Sequence, residues 1–75
     1  MSGLIQNFGL AVRHFRETHG WSQELLAEKA DLNRSYLGEV ERGRVMPSLA
    51  TAQKLAAALD ISLSGLLAHC EQQAA

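Results

Sequence analysis

The residues best suited to recognition chemistry lie between Ser22 and Arg44: Asn33, Arg34, Ser35, Tyr36 and Glu39 in one short run, Gln23 before it, and Arg42 and Arg44 after it. The Arg34 guanidinium is a fork that can bind both acceptors of a guanine edge, or a phosphate. Ser35 and Asn33 are short enough to touch a base from a helix start or to bind phosphate, and Asn33 can instead cap that helix. Glu39, one turn further on, can accept from a cytosine amino group or orient Arg34, whereas phosphates would repel it. Tyr36 has a hydroxyl suited to phosphate and a ring suited to thymine methyls or to packing. Arg42 and Arg44 read as phosphate clamps, with solvated surface charge as the alternative. This is a set for reading the edges and backbone of a duplex.

Other chemistries find less support. The carboxylates are scattered, no Gly-rich phosphate loop occurs, and Cys70 has no activating neighbour beyond His69, so no catalytic residue is assigned and an enzyme is not expected. His14, His19, His69 and Cys70 match no standard zinc spacing. Neither a metal nor another cofactor is expected.

Positioning the recognition residues requires two short helices. Ser22 is a helix N-cap followed by strong helix formers from Gln23 to Ala30; Asp31 and Leu32 interrupt the pattern. Asn33 then caps a second run, Arg34 to Arg42, which stops at Gly43. Leu26 and Ala30 on the first of these, Leu37, Val40 and Glu41 on the second, and Leu32 in the turn fall on the buried side, with Ala27 small at the crossing. Ser22 and Gln23 stand where unpaired helix-end amides favour an anion, so both are expected near phosphate.

The flanks supply the support. Leu4 to Thr18 reads as a helix with Leu4, Ile5, Phe8, Ala11, Val12 and Phe15 inward, ended by Gly20. Gly9 within it weakens the helix by about 1 kcal/mol relative to Ala; it marks either a close-packed position or, as the preferred reading, one where nothing else depends on the glycine. Trp21 is expected to staple back onto Leu25 or Leu26 rather than stack on a base. Ser48, after the Pro47 that stiffens the loop, opens a fourth helix to Leu59 with Leu49, Ala52, Leu55, Ala56 and Leu59 inward. Ser62 caps a fifth, running to about Gln72, beyond which the chain is expected to fray. The expected architecture is all-α, five helices in one domain spanning 1–75 with its core at about 4–72.

Composition agrees. Seventy-five residues support one core, and a 47% hydrophobic share, rich in Leu and Ala with a single Pro, favours helices. One cysteine allows no internal disulfide, and neither a membrane-length apolar run nor a secretory pattern is present, so the cytoplasm is expected. A net charge of −1 argues against coating of nucleic acid through bulk positive charge. Arg34, Arg42 and Arg44 nevertheless concentrate a local basic surface around the second paired helix.

Taken together, Trp21-Ser22-Gln23, Leu26 to Ala30, Ser35-Tyr36-Leu37, Val40 to Gly43, Pro47-Ser48-Leu49 and Leu55 to Leu59 resemble, in order and spacing, the Cro and lambda-repressor (XRE) family of helix-turn-helix regulators. The likeness runs from Phe8 to Leu67. It implies double-stranded DNA as partner and a salt bridge between Arg16 and Glu41. In the residues themselves, Glu41 falls on the inward side and needs a partner there. It also implies a phosphate contact at Gln23. Because one such domain reads too little DNA to be selective, a homodimer on a palindromic operator is expected, its recognition helices about 34 Å apart. Leu63, Leu66 and Leu67 are the expected dimer surface, or else only close the monomer core. No small-molecule effector is evident. Within the family, Arg34-Ser35-Tyr36 and the chain length are similar to controller proteins of restriction-modification systems. An antitoxin or adaptor using the same fold mainly to bind another protein is the competing expectation.

Overall fold

A computed structural model describes residues 3–74, so the expected 1–75 unit extends past both ends of it. Five helices follow in order, α1 (Gly3–Thr18), α2 (Gln23–Ala30), α3 (Arg34–Glu41), α4 (Leu49–Ala58) and α5 (Leu63–Ala74), with no strand among the described residues. Local hydrogen bonding sets the ends. Ser22 Oγ accepts from the Leu25 N–H, Asn33 Oδ1 from those of Ser35 and Tyr36, and Ser48 Oγ from that of Thr51. Asp31 closes α2 in the left-handed conformation, φ 58°, a role short polar side chains tolerate better than most.

The core is one cluster. Phe8, Ala11 and Val12 of α1 meet Leu26, Ala27 and Ala30 of α2, Leu37 and Val40 of α3, Ala52, Leu55 and Ala56 of α4 followed by Leu59, and Leu66 and Cys70 of α5. Helix α1 packs on α5 and α3, and α2 on α3 and α4, so α3 rests on a floor built by its neighbours.

Several expectations need correction. Leu4 and Leu49 are 54% and 72% exposed; each lies in the first turn of its helix, where the inward spacing continues but no other element reaches to cover it. Helix α3 ends at Glu41, with Arg42 as its cap, and α5 extends beyond Gln72 to Ala74; the final residue of the stretch expected to fray, Ala75, lies outside the described residues. Leu66 is fully buried and Cys70 nearly so. Neither has surface to offer a partner, which removes Leu66 from the expected dimer contact. Leu63 and Leu67, four residues apart, stay half-buried beside that row.

Gly9 is the largest correction. A Cβ there would stand 2.3 Å from the Val40 carbonyl oxygen and 2.7 Å from that of Glu41. The glycine is a close-approach point between α1 and α3, and helix propensity alone could not reveal it.

Candidate nucleic-acid interface

The inner side of α3 is anchored by a polar knot. Glu41, its side chain 3% exposed, receives Arg16 Nε at 2.7 Å on Oε2 and Arg16 Nη2 at 2.9 Å on Oε1. Arg16 Nη1 donates to the Trp21 carbonyl at 2.8 Å, and Gln23 Nε2 donates to Glu41 Oε1 at 2.9 Å. The hydrogen bond to Glu41 raises the Arg16 pKa further above its already high value, so the guanidinium is permanently charged. One carboxylate thereby ties α1, the loop at Trp21, the start of α2 and the end of α3. This is a charge-assisted, bidentate arrangement, the geometry in which a buried pair is best satisfied.

On the outer side, Arg34 and Ser35 are exposed at the first turn of α3, and Tyr36 is half-buried against the core. Arg34 has no hydrogen-bond or ion-pair partner among the described residues. Asn33 Oδ1 is committed to the Ser35 and Tyr36 amides at 2.8 and 3.2 Å, so its capping role is the one realised. Ser22 likewise spends its hydroxyl oxygen on the Leu25 amide at 3.1 Å. The expected orienting of Arg34 by Glu39 is not found. Glu39 Oε2 instead accepts from Arg42 Nη2 at 2.5 Å, and Arg44 Nη1 lies 3.9 Å from Oε1. The reason is reach: Arg42 follows Glu39 by three residues, the spacing that places side chains together on a helix. Hydrogen bonding from Arg42 holds the Glu39 carboxyl below its ordinary range.

Gln23, Arg34, Ser35, Gly38, Glu39 and Arg42 line one open groove of about 390 Å³. Gly38 was not singled out in the sequence. It keeps the groove floor bare, since a Cβ there would meet the Arg42 guanidinium at 3.2 Å. A glycine inside a helix otherwise rich in side chains was the available signal.

The histidines and the cysteine pack against their neighbours. His14 and His69 stack at 5.2 Å, both against Phe15. His19 stacks on Trp21 at 4.2 Å, with Lys29 over the indole at 4.8 Å. Burial pushes the Cys70 thiol up, so it stays protonated at neutral pH and is a poor nucleophile.

Comparison with known proteins fits this geometry. The Helix-turn-helix family matches residues 12–66, from the middle of α1 into α5. The restriction-modification controller protein C.AhdI from Aeromonas hydrophila superposes with a TM-score of 0.81 at 45% identity, covering 88% of this chain and 98% of that one. Control protein C.BamHI of Bacillus amyloliquefaciens is 38% identical over 72 residues, 88% of this chain and 89% of its own length. The immunity repressor protein of Bacillus phage phi105 is 42% identical over 59 residues, 79% of this chain. The chain spans only 41% of that repressor and 53% of a hypothetical transcription factor from Neisseria meningitidis. These relatives are regulators and controller proteins rather than enzymes. A paired-helix unit with the outer face of α3 open and its inner face locked to α1, matched over most of the chain, identifies the family: the protein belongs to the XRE-type helix-turn-helix family and carries that family's DNA-binding domain.

Proposed function

We propose that the protein is a sequence-specific regulator that binds a palindromic operator as a homodimer, with the N-terminal half of α3 in the major groove. The observation that carries this reading is Arg34: an exposed guanidinium, unpaired among the described residues, beside Ser35 on the first turn of a helix whose opposite side is locked in place. Such a fork is preorganised for a guanine edge, and a B-form major groove admits a helix. Arg42 and Arg44 take phosphates on one flank. On the other, Ser22 and Gln23 present the N-terminal amides of α2 to a phosphate, and the Tyr36 hydroxyl supplies another backbone contact. Asn33 contributes by holding the start of α3. The near full-length similarity to two control proteins supports the regulator reading, and the DNA upstream of the protein's own gene is the first duplex to try.

A mobility shift with that upstream duplex at two salt concentrations tests the reading. Wild-type binding should weaken steeply with salt, and Arg34→Ala should cost about 1–3 kcal/mol and relax preference at one base pair per half-site. Equal binding by both proteins would remove Arg34 from readout. Tight capture of a protein with no binding to DNA would favour the adaptor.

Dimerisation is assigned to the Leu63 and Leu67 side of α5, the apolar strip that the monomer leaves half-covered. Leu67→Glu should convert a dimer to a monomer in sedimentation equilibrium with helix content retained. An unchanged mass would place the contact elsewhere.

A further inference from the structure

Glu39 is an anion in the middle of a surface otherwise set to meet an anionic polymer. Its side chain receives Arg42, and its backbone carbonyl accepts the Arg44 N–H at 3.0 Å, bringing the second arginine alongside. The bare Gly38 lets the Arg42 guanidinium lie back along the outer face of α3 toward that carboxylate. All three charged side chains are substantially exposed, Arg42 and Arg44 at 52% and 66% and Glu39 at 37%, so the ion pairs are weak and readily exchanged. The low carboxyl pKa keeps Glu39 ionised at neutral pH.

Resting on the operator-binding reading above, we infer that Glu39 is a specificity-determining positioning residue. It occupies Arg42 and Arg44 as an internal stand-in for phosphate, so that arbitrary DNA must displace it to gain those contacts. On arbitrary sequence the register is loose, Arg42 and Arg44 must be taken from Glu39, and the freed carboxylate faces phosphates that repel it. On the operator, Arg34 and Ser35 fix the register. Arg42 and Arg44 then meet phosphates in a set geometry while the freed carboxylate faces base edges, where a cytosine amino group can satisfy it. The acid therefore penalises wrong sequences more than the right one, the repulsive element that discrimination between partners commonly needs.

The test uses the full chain with two probes, the duplex that the wild type enriches from a randomised pool and a scrambled duplex of equal length. Glu39→Gln keeps the shape and removes the charge. It should raise affinity for the scrambled duplex about three- to tenfold and steepen its salt dependence by about the 0.9 expected for one further phosphate contact. Affinity for the enriched duplex should rise less, so the specificity ratio falls. In an Arg42→Ala background the same substitution should have a smaller effect on the scrambled duplex. Unchanged scrambled binding with loss of the enriched duplex would make Glu39 a plain base reader and overturn the proposal. So would equal effects in the two backgrounds, because Glu39 would then act without Arg42. A wild type that enriches no sequence would instead defeat the operator reading itself, and this proposal with it.

Discussion

Arg16→Met is expected to destabilise the protein by about 3–5 kcal/mol, because it strands Glu41 as a buried charge with only the Gln23 amide left to it. For a domain of this size each kcal/mol shifts the thermal midpoint by about 4–8 °C, so a loss of about 12 °C or more should be visible by circular dichroism. Met preserves much of the aliphatic packing, which confines the change to the lost charge and its hydrogen bonds. Pairing it with Glu41→Leu should recover much of the loss, since the cost lies in leaving one partner unpaired rather than in lacking the bridge. An unchanged midpoint in the single variant would show that the pair contributes nothing. The knot also fixes α3, so Arg16→Met should weaken DNA binding even at temperatures where the protein remains folded.

Gly9→Ala should be the second large effect, and its sign is the informative part. In an isolated helix Ala would be better than Gly by about 1 kcal/mol. Here the added Cβ meets the carbonyl oxygens of Val40 and Glu41, which belong to the backbone and cannot rotate aside. Helices α1 and α3 must separate, at a cost of about 1–3 kcal/mol or more once the surrounding core loosens. Gly3→Ala is the control, because among the described residues only Asn7 Nδ2, at 3.9 Å, comes near that position. It should be neutral or slightly stabilising in urea denaturation. If Gly9→Ala behaved like Gly3→Ala, the close approach of α1 to α3 would be wrong.

Both variants act on the same junction. Gly9 lets α1 touch the last residues of α3, and Arg16, further along α1, grips the side chain of Glu41. The outer face of α3 is left exposed while its reverse side is held by the buried Arg16–Glu41 pair and by the close approach at Gly9. That arrangement is what holds so short a helix in shape, since eight residues alone would be marginal in water.

Much of this was legible in the chain. Ser22, Asn33 and Ser48 marked helix starts, the three- and four-residue spacing of Leu26 with Ala30 and of Leu37 with Val40 marked buried faces, and each is a matter of neighbours a turn apart. The inward placing of Glu41 was legible too, since a carboxylate beside Val40 on an apolar side asks for a partner. Less legible were Leu4 and Leu49, whose spacing says inward but whose exposure depends on whether another helix extends over them. The same holds for Leu66 against Leu67: adjacent residues of α5, of which one is sealed into the core and the other left half-open by where α1 and α4 happen to pass.

The sequence by itself therefore determined the helices, their caps and the helix-turn-helix order, because hydrogen bonds and side-chain spacing within a turn or two decide them. Only the tertiary structure decided that Gly9 must be glycine, that Glu39 turns to Arg42 and Arg44 rather than to Arg34, and which leucines of α5 remain for a partner. Those outcomes depend on distances between segments brought together by folding, or on which of several reachable side chains a charge selects, and no local pattern carries that information.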